Sequence, residues 1–128
     1  MKTIIREATK KTPEILFDES KGLLSIKGKS IPEHTNEFYK ELLEWIEEYG
    51  KNPHPKTNVE IQLEYYNTAS SKSLIEIFRK LEVLHREGND MVINWYYEDD
   101  DEDMLETGED MDSMLDIPFK IISVPVED

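Results

Sequence analysis

Apolar and polar residues follow two different periods along this chain, and the changes of period predict its elements. Two short apolar runs come first, Glu14–Asp18 and Leu23–Lys27. The segment Glu19-Ser20-Lys21-Gly22 joins them, which is typical of a β-hairpin with glycine at the turn. Ile4 and Ile5 can add a short strand before this hairpin.

Three stretches have the spacing of amphipathic helices. The first of these helices is expected to end before Gly50. Its start could be a capping box at Ser30-Ile31-Pro32-Glu33 or an N-cap at Thr35 or Asn36. The second runs from Ser71 to Glu87 and the third from Asp101 to Leu115. The apolar positions are, in order, Phe38, Leu42, Trp45, Ile46 and Tyr49; Leu74, Ile77, Phe78, Leu81 and Leu84; and Met104, Met111 and Leu115.

Strict alternation predicts a strand over Asn58–Tyr66, and two further strands follow at Met91–Tyr97 and Pro118–Val124. In the first of these, Val59, Ile61, Leu63 and Tyr65 would face the core and Glu60, Gln62, Glu64 and Tyr66 the wetter side. By the same alternation Tyr96 lies opposite Trp95 and Tyr97. Tyr66 and Tyr96 are therefore candidates for an exposed pair at strand ends, with core or rim packing as the alternative.

The order of these elements is a β-hairpin followed by alternating helices and strands. Strands separated by single helices pair in parallel through right-handed crossovers. We therefore expect an α/β fold with a single mixed sheet of four or five strands and amphipathic helices packed mainly on one face. Residues 1–128 are expected to form a single domain.

The net charge of −14 is concentrated in one segment. Eleven acids and no base lie between Glu98 and Asp116, whereas the remainder has 18 acids against 15 bases. An acidic chain without a basic patch argues against binding to nucleic acid or to an anionic membrane. One hypothesis is therefore an acidic protein-binding module that engages a basic partner through Glu98–Asp116.

The chain has no cysteine, and its first residues lack the apolar block of a signal peptide. No apolar run approaches the roughly 20 residues that a membrane-spanning helix needs. These features predict a cytoplasmic protein without membrane insertion.

No constellation typical of an enzyme is visible, so neither catalysis nor a cofactor is expected. His34, His54 and His85 are isolated, and there is no Gly-rich nucleotide loop. The acidic run resembles a calcium loop only in part. Asp99, Asp101, Asp103 and Asp110 have EF-hand spacing, but Met104 replaces the glycine, Asp110 replaces the bidentate glutamate, and a strand precedes them. An acidic helix with no metal is the better interpretation.

Four hydroxyl side chains lie where the Asn58–Tyr66 strand gives way to the second helix: Thr68, Ser70, Ser71 and Ser73. The start of a helix has unpaired N–H groups and a partial positive charge. A hydroxyl placed there can be a helix cap, a phosphate ligand or a phosphorylation site. Thr68 or Ser70 as a plain cap, with a stabilisation of about 1 kcal/mol, is what the local pattern favours.

Three blocks carry a resemblance that covers residues 5 to 122. They are Glu37-Phe38-Tyr39-Lys40-Glu41-Leu42-Leu43-Glu44-Trp45-Ile46, then Tyr65-Tyr66-Asn67-Thr68-Ala69-Ser70-Ser71-Lys72, then Asn94-Trp95-Tyr96-Tyr97-Glu98-Asp99-Asp100-Asp101-Glu102-Asp103-Met104. With them the chain resembles the SiaC family of bacterial regulatory phosphoproteins. The family in turn resembles anti-sigma-factor antagonists with STAS-like domains.

This resemblance implies a signalling switch rather than an enzyme. It implies phosphorylation on Thr68 by a SiaB-like kinase and dephosphorylation by a PP2C-type phosphatase. The unphosphorylated form would bind and activate an effector, a diguanylate cyclase, and so promote aggregation and biofilm. Thr68 would then lie in a partner-binding surface with Asn67, Ser70, Ser71, Lys72, Tyr66 and Tyr96. Ala69 departs from the serine expected in many relatives, which removes one rival hydroxyl.

Overall fold

The computed structural model describes residues 2–126, which form six strands and three helices. The elements are, in chain order, β1 (Ile4–Arg6), β2 (Glu14–Asp18), β3 (Leu23–Ser30), α1 (Thr35–Tyr49), β4 (Lys56–Tyr66), α2 (Thr68–Arg86), β5 (Asp90–Glu98), α3 (Glu102–Met114) and β6 (Phe119–Val124). Helices and strands alternate after β3, as the pattern predicts.

All six strands belong to one sheet, and their order in the sheet is their order in the chain. β1, β2 and β3 pair antiparallel, whereas β3, β4, β5 and β6 pair parallel. The mixed α/β sheet is confirmed, but the expected four or five strands were too few. The additional strand is β1, only three residues long, which pairs Ile4 with Phe17 and Arg6 with Ile15.

All three helices pack on the same face of the sheet. Phe17 of β2 makes an edge contact with Trp45 of α1, at 5.2 Å between ring centroids, and Trp95 of β5 contacts Phe78 of α2 at 6.5 Å. Trp95 also donates its indole N–H to the carbonyl of Met104 in α3 at 3.0 Å. Registered strand residues from Ile4 across to Phe119 form continuous rows on this face, and these rows make the core.

The β2–β3 hairpin turns at Gly22, as predicted. Gly22 has φ of +61°, a left-handed conformation that glycine adopts without a steric cost. A Cβ there would also lie 2.3 Å from the carbonyl oxygen of Lys56. The turn therefore requires glycine for two independent reasons.

The predicted starts of α1 were less accurate. The N-cap is His34, which makes no side-chain capping bond, so the capping box at Ser30 and the caps at Thr35 or Asn36 were wrong. Ser30 instead ends β3 and is fully buried. Gly50 follows the last helical residue, Tyr49, as expected.

A β-bulge separates the two halves of β4. Gly28 pairs with Leu63 but Lys29 pairs with Tyr65, which leaves Glu64 as an extra residue. One extra residue exchanges the two faces of a strand. Tyr65 is consequently 56% exposed, and Tyr66 packs against the core on the helix side. The predicted inward Tyr65 and outward Tyr66 were therefore wrong, although Val59, Ile61 and Leu63 are buried as expected.

Helix α3 approaches β5 closely because Gly108 has no side chain. A Cβ at Gly108 would lie 2.6 Å from Cδ1 of Trp95. The predicted apolar stripe of Met104, Met111 and Leu115 is buried around this contact. The acidic side chains of α3 thus lie on a helix whose other face is firmly packed.

Glu82 of α2 is a buried carboxylate that fastens the α3–β6 loop. It accepts a hydrogen bond from the Asp116 N–H at 2.6 Å and pairs with Arg86 at 2.9 Å and Arg79 at 3.3 Å. Arg79 also donates to the carbonyl of Met114 at 3.1 Å. The hydrogen bond from Asp116 holds the pKa of Glu82 below its ordinary 4.5 against the opposing effect of burial, and Arg79 adds to the lowering.

We expect Glu82→Gln to lower the free energy of unfolding by about 1–3 kcal/mol at neutral pH, because the N–H of Asp116 and the two arginines lose a charged acceptor. A lowered folded pKa contributes stability above the unfolded pKa of 4.5, and this stability disappears as pH falls through the folded pKa. Urea unfolding from pH 7 down to about pH 3 should therefore show the variants converging at low pH. Glu76→Gln, exposed on the same helix, is the control, and an equal loss there would contradict the assignment.

Candidate functional site

The carboxyl ends of β3 and β4 meet the first turn of α2. The Asn67 N–H donates to the carbonyl of Ser30 at 3.1 Å, which joins the end of β3 to the residue before the helix. In open α/β sheets, sites lie at this end of the strands. The first turn of α2 is therefore held against the sheet rather than free in solvent.

Asn67, and not Thr68 or Ser70, caps α2. Its side-chain oxygen accepts the Ser70 N–H at 2.8 Å, and its backbone is extended, as in a standard N-cap. The helix therefore begins at Thr68, three residues before the predicted start at Ser71. Because Asn67 performs the capping, Thr68 is not needed for it.

Ser70, which the resemblance implies for the partner-binding surface, is fully buried. Its hydroxyl donates to the carbonyl of Ser30 at 2.9 Å and lies 2.8 Å from the Ser30 hydroxyl. The Ser30 hydroxyl lies 2.5 Å from that of Tyr39 in α1. Burial raises the pKa of Tyr39, and the hydrogen bonds with Ser30 and Ser70 oppose the rise. These three hydroxyls connect β3, α1 and α2 beneath the exposed surface.

We expect Ser30→Ala to destabilise the protein by about 1–3 kcal/mol, because it removes the buried hydroxyl that bonds both Tyr39 and Ser70. Tyr39→Phe removes the same bond from the other side. The double variant should lose less than the sum of the single losses, as coupled residues do. Thermal and urea unfolding of all four proteins give the coupling, and strictly additive losses would contradict it.

Thr68 and Lys72 are exposed, Ser71 is half-buried and Ser73 is buried. The hydroxyl of Thr68 makes no hydrogen bond with any of residues 2–126. As the first residues of the helix, Thr68 and Ala69 have N–H groups without an acceptor four residues earlier. Lys72 lies one turn further on the same side as Thr68. An anion attached to Thr68 would thus meet two N–H groups, the helix dipole and one cation.

Tyr66 and Tyr96 do not form a shared surface, because they lie on opposite faces of the sheet. Tyr66 lies on the helix side, where burial raises its pKa. A hydrogen bond with Thr107 of α3 opposes this rise, and the negative charge of Asp101 adds to it. Tyr96 lies on the other side, beside Glu60. The exposed aromatic in this block is Tyr65. Strict alternation predicted it to be buried, because nothing in the local sequence of β4 indicates the bulge.

Asp101 stands at position 3 of the calcium-like pattern that begins at Asp99. It caps α3, and its carboxylate accepts a hydrogen bond from the Met104 N–H at 3.0 Å. Residues 2–126 contain no group of three or more His, Cys, Asp or Glu side chains arranged to hold a metal ion. His54 and His85 each bond a nearby backbone carbonyl, of Lys56 and Asn89. Within the same residues, no helix is long and apolar enough to cross a membrane.

A family model described as the SiaC family of regulatory phosphoproteins matches residues 6–124. The chain belongs to this family. An uncharacterised protein of Pseudomonas aeruginosa strain UCBPP-PA14 is 30% identical over 113 residues, which cover 88% of this chain and 90% of that protein. The blocks around Thr68 and Asn94 therefore identified the family correctly.

Solved structures give the same result. The crystal structure of apo-SiaC from Pseudomonas aeruginosa has a TM-score of 0.87 at 29% identity, covering 95% of this chain and 99% of that chain. A chain from the crystal structure of the diguanylate cyclase SiaD in complex with its activator SiaC, also from Pseudomonas aeruginosa, has a TM-score of 0.90 at 28% identity, covering 94% and 99%. SiaC is thus a regulatory protein that activates a cyclase in a complex.

Proposed function

We propose that this protein is a non-catalytic phosphorylation switch that activates a SiaD-like diguanylate cyclase when Thr68 is unmodified. A SiaB-like kinase would phosphorylate Thr68 and a PP2C-type phosphatase would reverse the reaction. The output would be control of aggregation and biofilm. Family membership supports the regulatory role, and the complex of SiaC with SiaD supports a cyclase as the partner.

The observation that carries the choice of Thr68 is its exposure. Of the four hydroxyls in the cluster, Ser70 and Ser73 are buried and Ser71 is half-buried, whereas Thr68 is exposed. A kinase must reach the oxygen that accepts the phosphate. The hydroxyl of Thr68 makes no hydrogen bond within residues 2–126, so its modification would break none there. Asn67 caps the helix independently, so phosphate transfer to Thr68 leaves the cap intact.

The same geometry predicts how the switch acts. A phosphate adds a charge of about −1.5 to −2 and favours a helix N-terminus. On Thr68 it would be stabilised by the free N–H groups of Thr68 and Ala69 and by Lys72. We therefore propose that phosphorylation leaves α2 folded and releases the cyclase by placing charge in the contact surface, where it must be desolvated.

Exposed residues around Thr68 would form the rest of this contact surface. Tyr65 is a large exposed aromatic three residues before Thr68, and Lys72 and the half-buried Ser71 lie on the first turns of α2. Aromatic side chains are enriched among residues that dominate binding energy. Tyr65 therefore replaces Tyr66 as the exposed aromatic of the proposed contact surface. Asn67 would contribute indirectly by capping α2, and the buried Ser70 by bonding the end of β3.

Intact mass spectrometry of the protein purified from its own cells tests the proposal. We expect a species heavier by about 80 Da, one phosphate, mapped by peptide sequencing to Thr68. Incubation with a PP2C-type phosphatase should remove it. A phosphate that maps to Ser71, or that persists in a Thr68→Val protein, would contradict the assignment. Cells in which the kinase gene is induced provide the positive control.

A further inference from the structure

Within residues 2–126, no helix packs on the second face of the sheet. Strands β3 to β6 are parallel, and parallel sheets are almost always covered on both faces. Here α1, α2 and α3 all contact the face that holds Phe17 and Trp95. One registered row of the opposite face runs across five strands through Leu16, Ser25, Glu60, Asn94 and Lys120.

A groove crosses this uncovered face and continues past the carboxyl ends of β4 and β5 to the first turn of α3. It consists of two depressions of about 1110 Å³ and 420 Å³ that share Glu14, Lys27, Gln62, Tyr96 and Val124 in their walls. Its apolar surface includes the side chains of Leu16, Leu23, Tyr96 and Val124. We call it the sheet-face groove, and α2 lies on the opposite side of the sheet.

The walls of the sheet-face groove are strongly acidic. Of the described residues, eight acids line its two depressions against one base, Lys27, and five of these acids lie between Glu98 and Asp103. Glu60 lies near the middle of the face and interacts with the hydroxyl of Tyr96, whereas its Oε2 atom is buried with no hydrogen-bond partner among residues 2–126. A buried carboxylate oxygen without a donor is costly, so a ligand that brings a cation there is favoured.

We propose that the sheet-face groove binds a basic amphipathic helix of a partner protein. The apolar side of that helix would lie on Leu16, Tyr96 and Val124, and its Lys or Arg side chains would reach Glu60 and the acidic walls. A helix fits better than an extended peptide, which needs an unpaired strand edge. Strands β3, β4 and β5, which form the floor, are already paired on both sides.

Charge decides against a second copy of this chain as the occupant. The net charge is −14, so two such faces would repel each other. The same charge argues against nucleic acid and against anionic lipid. The proposal does not depend on Thr68, which lines neither depression.

The test titrates ¹⁵N-labelled protein with a synthetic helical peptide of leucine and lysine at amphipathic spacing. The scrambled peptide of equal charge is the matched control. We expect micromolar binding, and we expect the largest amide shifts in β3, β4, β5 and residues 124–126. The scrambled peptide should bind at least tenfold more weakly. Equal binding of both peptides, or shifts centred on α1 and α2, would overturn the proposal.

Matched charge variants complete the experiment. Glu14→Gln with Glu60→Gln should weaken peptide binding at least tenfold, whereas Glu37→Gln with Glu76→Gln, exposed on the helix side, should change it less than twofold. Thr68→Glu should bind the peptide as the wild type does, which separates this proposal from the switch. Retained dispersion of the amide spectrum establishes that each variant is folded. The proposal is overturned if the two double variants weaken peptide binding equally. It is also overturned if sedimentation analysis shows a dimer that the Glu14 and Glu60 substitutions dissociate, because the groove would then bind a second copy.

Discussion

A Thr68→Glu protein should bind the effector cyclase 10- to 100-fold more weakly than the wild type. The substitution places a charge in a surface that must lose water on binding, and removing water from that charge costs a few kcal/mol. Since each 1.4 kcal/mol is a factor of ten in Kd, this range follows directly. Calorimetry gives the affinity, and production of cyclic di-GMP by the mixed proteins gives the activation.

Two neutral variants separate charge from shape at Thr68. Thr68→Gln has nearly the size of glutamate without its charge, and Thr68→Val has the shape of threonine without its hydroxyl. Both should bind and activate the cyclase within a few-fold of the wild type, and Thr68→Val should also take up no phosphate from the kinase. If Thr68→Gln loses as much affinity as Thr68→Glu, the effect is steric and the electrostatic mechanism fails. Amide spectra that preserve the α2 resonances in Thr68→Glu would support release without unfolding.

Gly108→Ala should destabilise the protein by about 1–3 kcal/mol, which is typical of overpacking a well-packed core. Helix propensity alone predicts the opposite, a gain of about 1 kcal/mol for replacing a helical glycine with alanine. The added Cβ would lie 2.6 Å from Trp95 Cδ1 and 2.8 Å from its Nε1. The indole cannot easily yield, because it donates to the Met104 carbonyl and is flanked by Phe78 and Phe119.

Urea unfolding measures the loss at Gly108, and the indole N–H resonance of Trp95 reports the local change. That resonance should shift as the bond to Met104 lengthens. Glu109→Ala, exposed on the same helix, is the control and should leave the stability nearly unchanged. A Gly108→Ala protein as stable as the wild type would mean that α3 moves away from β5 at little cost.

The alternation and helical spacing of the sequence predicted most elements, since burial on one face imposes a period on every strand and helix. Three features could not be predicted from these periods, each for a physical reason. The extra residue Glu64 changes the facing of Tyr65 and Tyr66, and a fixed period of two cannot include a bulge. Asn67 caps α2 although Thr68 and Ser70 are equally suited chemically.

Ser70 is the third such feature. Its burial depends on Ser30, 40 residues earlier, and on Tyr39, neither of which a local pattern connects to it. The sequence therefore predicted the strand–helix junction that holds these hydroxyls but assigned exposure wrongly within it. The resemblance of the surrounding blocks selected Thr68, and the buried positions of Ser70 and Ser73 support the same choice.

The strand order β1-β2-β3-β4-β5-β6 has a consequence for how the chain folds during synthesis. Each strand pairs only with its neighbours in the chain, so no strand waits for a partner made much later. The hairpin of β2 and β3 can form first, and each later helix–strand unit can then add to the existing edge as it leaves the ribosome. Few loops need to close over long separations, which favours rapid folding with little exposure of unpaired edges.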